Sequence, residues 1–293
     1  MPDQRCLLSV HAHPDDESSK GPATVARYHG EGVHTVLVCC TDGAEGDILN
    51  PAMDKPEIRE HLVEVRRQEL AVATSIIGYD EVVMLGYRDS GMAGTEANSN
   101  PDCFAMAPLE EAVGRLVAII RRVRPQVIIT YPEEQTQYPH PDHIRVHEIS
   151  VVAFDAAGDP AAYPEAGAPY EPQKLYYSVW SVARMRAIHE KFLELGLESP
   201  LGERFRSRID AEPAEPTYTT RVSTFGYDDV RGEALRAHAT QVDPNSRMWF
   251  GLPPEVQRTL YPFDEYTLAR SRLPAAEGIE DDLFAGLTAD VYS

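Results

Sequence analysis

Short apolar runs alternate with amphipathic stretches over the first half of the chain. The runs are rich in β-branched residues, as buried strands of a parallel sheet are, and they cover residues 5–10, 33–40, 81–85 and 127–131. Apolar residues at helical spacing between the runs predict helices over residues 18–30, 57–77, 109–124 and 143–157. This alternation predicts an α/β fold, a Rossmann-like, doubly wound and mostly parallel sheet.

The pattern loosens after residue 159. Strands are predicted over residues 174–178 and 218–222 and helices over 181–196 and 227–240, whereas residues 200–216 and the tail from Pro274 are expected to be irregular. We therefore expect a catalytic core over residues 1–159. Residues 160–293 are expected to form a smaller C-terminal lobe of the same globular unit, which covers the active-site rim and shapes the substrate cleft.

Composition and charge indicate which kinds of binding partner this protein is not expected to have. The 293 residues are 43% hydrophobic and carry a formal net charge of −20, which would repel phosphate backbones, so neither nucleic acid nor a membrane is expected as a partner. The four cysteines form no C-x-x-C pair and are expected to be buried, reduced thiols. No apolar run has the length of a membrane span and the first residues are too polar for a signal peptide, so a cytoplasmic protein is expected. These features leave the oligomeric state open.

Two clusters of histidine and aspartate follow predicted strands. Residues 11–17 read HAHPDDE after the first strand, and residues 140–143 read HPDH shortly after the fourth. The carboxyl ends of parallel strands share one edge of the sheet, where ligands of such folds bind. No G-x-G-x-x-G follows the first strand, so a dinucleotide site is not expected.

The two clusters together predict a catalytic metal site. Neutral imidazole and carboxylate are zinc ligands, and three protein ligands plus water are typical of a catalytic centre. His13 and Asp16 lie in one tight turn, and His143 is the favoured third ligand. His147, four residues later on the same helix face, is the alternative.

The remaining polar residues of the two clusters have predicted catalytic roles. Asp15 is the candidate general base for a water that the metal activates. His140 is the candidate donor to the oxyanion and to the leaving amine. Asp142 is expected to orient an imidazole, either that of His140 or that of a metal ligand. Alternatively, or in addition, Asp142 caps a helix that starts at His143.

Residues 12–17 and 140–143 resemble the A-H-P-D-D-E and H-P-D-H motifs of the PIG-L/LmbE-like deacetylase superfamily. The resemblance implies zinc ligands at His13, Asp16 and His143, a base at Asp15 and an electrophilic histidine at His140. It favours His143 over His147 as the third ligand. It also implies Zn²⁺ as cofactor, although the same ligand set accepts Fe²⁺.

Further segments are similar to one branch of that superfamily, the mycothiol S-conjugate amidases. They span nearly the whole chain and include residues 18–21, 48–54, 138–145, 235–245 and 268–272. The branch implies hydrolysis of the cysteinyl-glucosamine amide of a small-molecule mycothiol S-conjugate, which releases an N-acetylcysteine S-conjugate and glucosaminyl-inositol. The alternative within the same chemistry is deacetylation of N-acetylglucosaminyl-inositol or another N-acetyl sugar. A non-catalytic binding protein would instead lack a ligand or the base.

Family similarity also suggests substrate contacts. Lys20 is associated with the amidase branch, and Arg66 and Asp89 are candidates to bind sugar or inositol hydroxyls. A surface ion pair with Glu69 is the competing interpretation of Arg66. The other candidates are Tyr138, which would assist the oxyanion, and His238 and Gln241, which would reach the cleft from the second lobe.

Three loops depart from the family pattern. Residues 41–46 read TDGAEG where the family has T-x-G-E-x-G, residues 132–137 lack the usual Asn-Gly, and residues 88–95 are closer to the deacetylase branch. The catalytic set is intact, so these departures bear on substrate choice. One hypothesis is a copy dedicated to a single conjugate of natural-product (antibiotic) biosynthesis rather than to general detoxification; neutral drift of the loops is the alternative.

Overall fold

The structure is a computed structural model that describes residues 4–133, 139–211, 218–274 and 276–287. The strands are β1 Cys6–His11, β2 His34–Thr41, β3 Glu81–Tyr87, β4 Val127–Thr130, β5 Lys174–Val179, β6 Thr220–Ser223 and β7 Phe263–Ser271. The helices are α1 Asp16–Ser19, α2 Pro22–Gly30, α3 Pro56–Glu60, α4 Leu62–Ile77, α5 Leu109–Val123, α6 Pro141–Ala156, α7 Val182–Glu194, α8 Glu203–Ala211, α9 Val230–Ala237, α10 Arg247–Phe250 and α11 Pro254–Leu260. Three short 3₁₀ turns cover Ala97–Ser99, Phe104–Met106 and Pro164–Ala166.

The strands form one sheet in the order β3-β2-β1-β4-β5-β7-β6. The first five are parallel, whereas β7 runs antiparallel to both β5 and β6. The predicted mostly parallel α/β sheet is therefore confirmed. The chain direction across the sheet reverses between β1 and β4, so the crevice at a topological switch point lies at their carboxyl ends.

Both faces of the sheet are covered by helices. Leu8 and Val10 of β1 belong to a buried cluster with Leu116 of α5 and Ile149 of α6. Leu7, whose side chain points to the opposite face, belongs to a second cluster with residues of α2, α4 and α9. These residues are fully buried, so close packing on both faces fixes the carboxyl ends of β1 and β4 in position.

The second half of the chain extends the same sheet. β5 pairs with β4, and β7 then joins β5 to β6. The sequence pattern missed β7, and α8 occupies part of a region expected to be irregular. The helix predicted over 57–77 is divided at His61, which separates α3 from α4. The division into a core and a lobe at residue 159 stays a prediction.

Candidate metal centre and active site

A tight turn after β1 presents the first motif. The amide of His13 donates to Oδ2 of Asp16 at 2.9 Å, and the amide of Asp16 approaches the carbonyl of His13 at 3.3 Å. Between them, Asp15 has a φ of 134°. A non-glycine residue at such a φ is strained, and backbone strain of this kind is concentrated at functional sites. The turn directs two successive carboxylates toward the cleft.

The second motif forms the entrance to α6. Pro141 is the first residue of the helix, and His140 is its N-cap, whose Nδ1 accepts from the amide of Asp142 at 3.2 Å. The expectation that Asp142 caps a helix starting at His143 is therefore wrong, because the helix begins two residues earlier. The side chain of Asp142 is left for another contact.

Three ligand atoms converge at this edge of the sheet. Nδ1 of His13 and Nε2 of His143 each lie 3.4 Å from Oδ2 of Asp16. All three atoms lie within 4.8 Å of one another and all three residues are buried. Two ligand atoms about 2.0–2.1 Å from a tetrahedral zinc ion are roughly 3.3–3.4 Å apart. The donor set therefore fits a divalent ion.

His147 lies outside this cluster. Its Nδ1 is 3.0 Å from the backbone oxygen of Tyr131, and its ring contacts Tyr177. The alternative in which His147 replaces His143 as a ligand therefore does not match the geometry. His11, at the end of β1, is also turned into the interior, where its Nδ1 contacts the Tyr131 hydroxyl at 3.1 Å.

A second group of carboxylates surrounds the other nitrogen of His13. Oδ2 of Asp142 lies 3.2 Å from Nε2 of His13, and Oδ1 of Asp89 lies 3.6 Å from the same nitrogen. Asp142 is held by the amide of Ser90 at 2.9 Å and by the Ser90 hydroxyl. Of the two imidazoles that Asp142 was expected to orient, the nearer is that of His13, the candidate ligand, since Asp142 lies 4.0 Å from His140.

The electrostatics of the cluster favour a cation. Burial acts to lower the pKa of His13, but hydrogen bonds to Asp142, Asp16 and Asp89 raise it well above its ordinary value. Burial would raise the pKa of Asp16, yet Lys20 and His143 hold it well below the usual range. Burial lowers the pKa of His143 to about 4, which keeps that imidazole neutral. The site thus offers a carboxylate, a neutral imidazole and a histidine that attracts positive charge.

Asp15 lines the same cleft as His13, Asp16 and His143 without belonging to their cluster. Burial raises the pKa of its carboxyl, against the opposing effect of Arg66, whose Nη2 lies 3.6 Å from Oδ2 of Asp15. A raised pKa makes this carboxylate a stronger proton acceptor, as a general base requires.

His140 lines the same cleft, beside the rings of the candidate ligands His13 and His143. The centroid of its ring lies 4.5 Å from that of His13 and 5.6 Å from that of His143. Burial, together with the charge of His13, lowers the pKa of His140, so its imidazole is favoured in the neutral form. Since Nδ1 accepts from the helix backbone, the Nε2 atom is the one that can carry the proton.

Glu17, for which the sequence analysis predicted no role, supports the turn after β1. It is buried, and its Oε2 accepts from the amide of Asp15 at 2.9 Å. Its Oε1 lies 2.7 Å from Nε2 of His238. His238 is fully buried and does not line the cleft. His238 therefore contacts Glu17 rather than the cleft where substrate was expected. In the sequence, the only sign of this contact was that a glutamate ends the first motif.

Arg66 is buried rather than part of a surface ion pair. It is 2% exposed, and its guanidinium donates to the backbone oxygens of Gly43 and Pro14 at 2.6 and 2.5 Å. Glu69 instead accepts from the amide and hydroxyl of Thr240. The surface-pair interpretation of Arg66 and Glu69 is thus wrong. Arg66 joins the first loop, the second loop and Asp15.

These groups line a cleft with a volume of about 340 Å³. Lys20, Arg66, Asp89 and Gln241 all lie on its wall, with His13, Asp15, Asp16, His140 and His143. Lys20 also forms an ion pair with Oδ1 of Asp16, and Asp89 accepts from the amides of Gly91 and Glu45 at 2.9 and 3.3 Å. Tyr138 lies outside the described residues. Among the described residues, no helix has the length and apolar character needed to cross a membrane.

Comparison with known proteins agrees with this geometry. Residues 8–154 match the family model described as PIG-L, GlcNAc-PI de-N-acetylase. The mycothiol S-conjugate amidase of Streptomyces coelicolor is 45% identical over 98% of this chain and 99% of the relative. The 1D-myo-inositol 2-acetamido-2-deoxy-alpha-D-glucopyranoside deacetylase of Streptomyces avermitilis is 41% identical over 98% of each chain. The N,N'-diacetylchitobiose deacetylase of Pyrococcus horikoshii shares the fold, with a TM-score of 0.61 at 17% identity over 91% of this chain and 84% of that structure.

The family model covers half of the chain and both His/Asp motifs, and the curated relatives cover nearly all of it. The chain therefore belongs to the PIG-L family and is a metal-dependent amide hydrolase.

Proposed function

We propose that this protein is a zinc-dependent amidase that hydrolyses the cysteinyl-glucosamine amide of mycothiol S-conjugates. The products would be an N-acetylcysteine S-conjugate and glucosaminyl-inositol. The observation that carries the proposal is the cluster of His13, Asp16 and His143 beside an unliganded Asp15. It occurs in a chain that matches an amidase of this specificity over almost its whole length.

The ligand set suits zinc. His13 Nδ1, Asp16 Oδ2 and His143 Nε2 would hold the ion, and the chemistry of two imidazoles and one carboxylate is that of catalytic zinc sites. When bound, such an ion polarises the amide carbonyl and lowers the pKa of water to about 7. Fe²⁺ is an alternative for the same donors. Metal analysis of protein purified without added metal distinguishes the two.

Asp15 and His140 would move the protons. Asp15 takes a proton from the attacking water, and its raised pKa supports that role. His140, held by the α6 backbone through Nδ1, presents Nε2–H to the carbonyl oxygen as negative charge develops there. The C–N bond then breaks, and the amine nitrogen takes up the proton that the base had accepted. The first role uses an ionised carboxylate that accepts a proton, and the second uses a neutral imidazole that donates a hydrogen bond.

The cleft wall would bind the polyol part of the substrate. Lys20, Asp89 and Gln241 bring an ammonium, a carboxylate and an amide to its surface. Such groups hydrogen-bond sugar and inositol hydroxyls. Arg66 would act through the loops that it joins and through its contact with Asp15, because its guanidinium already donates to two backbone oxygens.

Deacetylation of N-acetylglucosaminyl-inositol is the second candidate. It is favoured by the 41% identical deacetylase, which matches this chain over the same length as the amidase. The two reactions break chemically similar amides and differ in the acyl group. Glu45, in the loop that departs from the family pattern, lines the cleft and pairs with Arg88. A loop that departs from the family pattern thus lines the cleft, as the hypothesis that the enzyme is dedicated to one biosynthetic conjugate requires.

Product analysis separates the candidates. The metal-loaded protein is incubated with a mycothiol S-conjugate and, separately, with N-acetylglucosaminyl-inositol, and products are identified by mass spectrometry. We expect release of a cysteine S-conjugate with a higher kcat/KM than release of acetate. Faster release of acetate would assign the chain to deacetylation, and inactivity on both substrates would contradict the proposal.

A further inference from the structure

A second cavity lies next to the catalytic cleft. It has a volume of about 350 Å³ and is lined by parts of α7, α9, α10 and α11 and the start of β7. None of the metal ligands or proton-transfer residues belongs to its wall. It is therefore a separate compartment that the chemistry described above does not use.

One side chain and one helix separate the two compartments. Trp249 lines both the cleft and the second cavity. On α9, Leu235 faces the cleft while Gly232 faces the second cavity. A ligand that extends out of the cleft past Trp249 would therefore enter the second cavity.

Part of the wall of the second cavity is aromatic. Trp180 and Trp249, the two tryptophans of the chain, meet there edge to face with ring centroids 5.7 Å apart. The guanidinium of Arg184 lies 5.2 Å from the ring of Trp180 and 5.4 Å from that of Tyr261. Flat aromatic faces with a fixed cation between them favour planar or apolar groups.

The cavity has no net charge to offer, although the chain is strongly acidic. Four arginines and four acidic residues line it. Arg184 and Arg231 both pair with the buried Asp264, and Arg258 pairs with Asp229 at 2.8 Å. Arg184 also lies 3.7 Å from the buried Glu265. Because each of these three cations already has a carboxylate partner, a charged ligand would gain little there. The occupant is expected to be uncharged.

We propose that the second cavity receives the group attached to the sulfur of the substrate, and that this group is uncharged and aromatic or alicyclic. The inference rests on the function proposed above. A cleft of about 340 Å³ is at the small end of ligand sites. The glucosamine ring, the inositol ring and the acylated cysteine of the substrate would already fill it. The thiol-linked group must then lie beyond the cleft, and Trp249 marks the passage.

Gly232→Leu tests the assignment. Gly232 lies inside α9, and a Cβ there would meet only the flexible end of the Arg236 side chain, at 3.2 Å. Leucine would therefore fill the cavity, and it is a better helix former than glycine, so folding is not penalised. Gly232→Ala is the matched control, because it improves the helix and fills little space.

Kinetics on two mycothiol conjugates measure specificity. One carries an S-methyl group and the other an S-coumarinylmethyl group. We expect Gly232→Leu to lower the ratio of kcat/KM for the coumarin conjugate to that for the methyl conjugate by about tenfold, and Gly232→Ala to change it by less than about twofold. An unchanged ratio, or an equal loss on both conjugates, overturns the cavity assignment while the proposed function stands. If the wild type cleaves neither conjugate, the proposed function fails and the inference falls with it.

Fluorescence gives a readout without catalysis. Both tryptophans line the cavity, so the coumarinylmethyl conjugate of N-acetylcysteine, which is a product, should quench their emission in the metal-loaded protein. Unconjugated N-acetylcysteine should leave the emission unchanged. We expect Gly232→Leu to weaken the quenching titration by about tenfold or more. Equal quenching in the wild type and Gly232→Leu would overturn the proposal.

Discussion

The carboxylate of Asp142 lies 3.2 Å from Nε2 of His13, whereas the other ring nitrogen, Nδ1, lies near Asp16. Asp142 is fully buried, and the Ser90 backbone and hydroxyl fix its two oxygens. The carboxylate therefore places the proton of His13 on Nε2 and leaves Nδ1, 3.4 Å from Asp16, as the electron-pair donor. A residue of the second motif thus orients a candidate ligand of the first.

Asp142→Asn is expected to weaken metal binding. The amide cannot supply the negative charge that stabilises the Nε2–H form of His13, and loss of such a partner lowers metal affinity by about 10–100-fold. Competition with a chromogenic chelator measures the affinity. Asp155→Asn, on the exposed end of the same helix, is the control. Equal affinities in the wild type and both variants would refute the orienting role.

Asp15→Asn is expected to retain metal and lose activity. Asparagine keeps the size of the side chain and tolerates positive φ, so the strained turn can form, but it cannot accept the proton. We expect kcat to fall by about 10²–10⁴-fold at unchanged metal content. Asp16→Asn is the comparison variant and should lose metal instead. Substantial turnover by Asp15→Asn would remove Asp15 as the base.

His140→Asn is expected to separate catalysis from helix capping. Asparagine is a good N-cap and can replace the contact of Nδ1 with the amide of Asp142, whereas alanine cannot. Both variants should therefore lose about 10²–10³-fold in kcat, but His140→Ala should also lose about 1 kcal/mol of stability. Rate assays and thermal melts distinguish the two effects. A normal kcat in His140→Asn would exclude the imidazole from transition-state stabilisation.

The sequence could predict the first half of the fold and the meeting of His13, Asp16 and His143 at one edge of the sheet, for physical reasons. Strands buried on both faces are continuous apolar runs, and the carboxyl ends of parallel strands share one edge, where the doubly wound order makes β1 and β4 neighbours. Strand β7 does not have that pattern. Its Asp264 and Glu265 are buried, and Asp264 is satisfied by Arg184, Arg231 and Thr24. Such compensation depends on contacts far apart in sequence, so local periodicity carries no sign of it.

Contacts between distant segments also set the buried residues next to the candidate site, and the sequence pattern does not show them. Glu17 and His238 are 221 positions apart, and nothing local indicates that His238 meets Glu17 rather than the substrate. Likewise, the spacing of Arg66 and Glu69 fits an exposed ion pair, whereas their partners Gly43 and Thr240 come from other segments. Residues that act by positioning another residue can therefore be recognised only in the folded structure.

The buried pair of Glu17 and His238 is expected to make stability depend on pH. Burial alone would lower the pKa of His238, but Glu17 raises it above the ordinary 6.5. Burial would raise the pKa of Glu17, but His238 holds it below the ordinary 4.5. The contribution of His238 is therefore fully present below pH 6.5 and is lost as pH rises through its raised pKa. That of Glu17 is present above pH 4.5 and is lost as pH falls through its lowered pKa.

His238→Gln tests this window. Removing the cation leaves a buried carboxylate without its partner, which costs about 3 kcal/mol. We expect the difference in Tm between the wild type and His238→Gln to be largest between pH 4.5 and 6.5 and to shrink at higher pH. Melts are recorded with chelator present, so that metal release does not contribute to the difference. His61→Gln, at an exposed position, is the control. A Tm difference that stays constant from acid to alkaline pH would show that His238 is held as a neutral imidazole, and the turn carrying Asp15 would then rest on a neutral hydrogen bond rather than an ion pair.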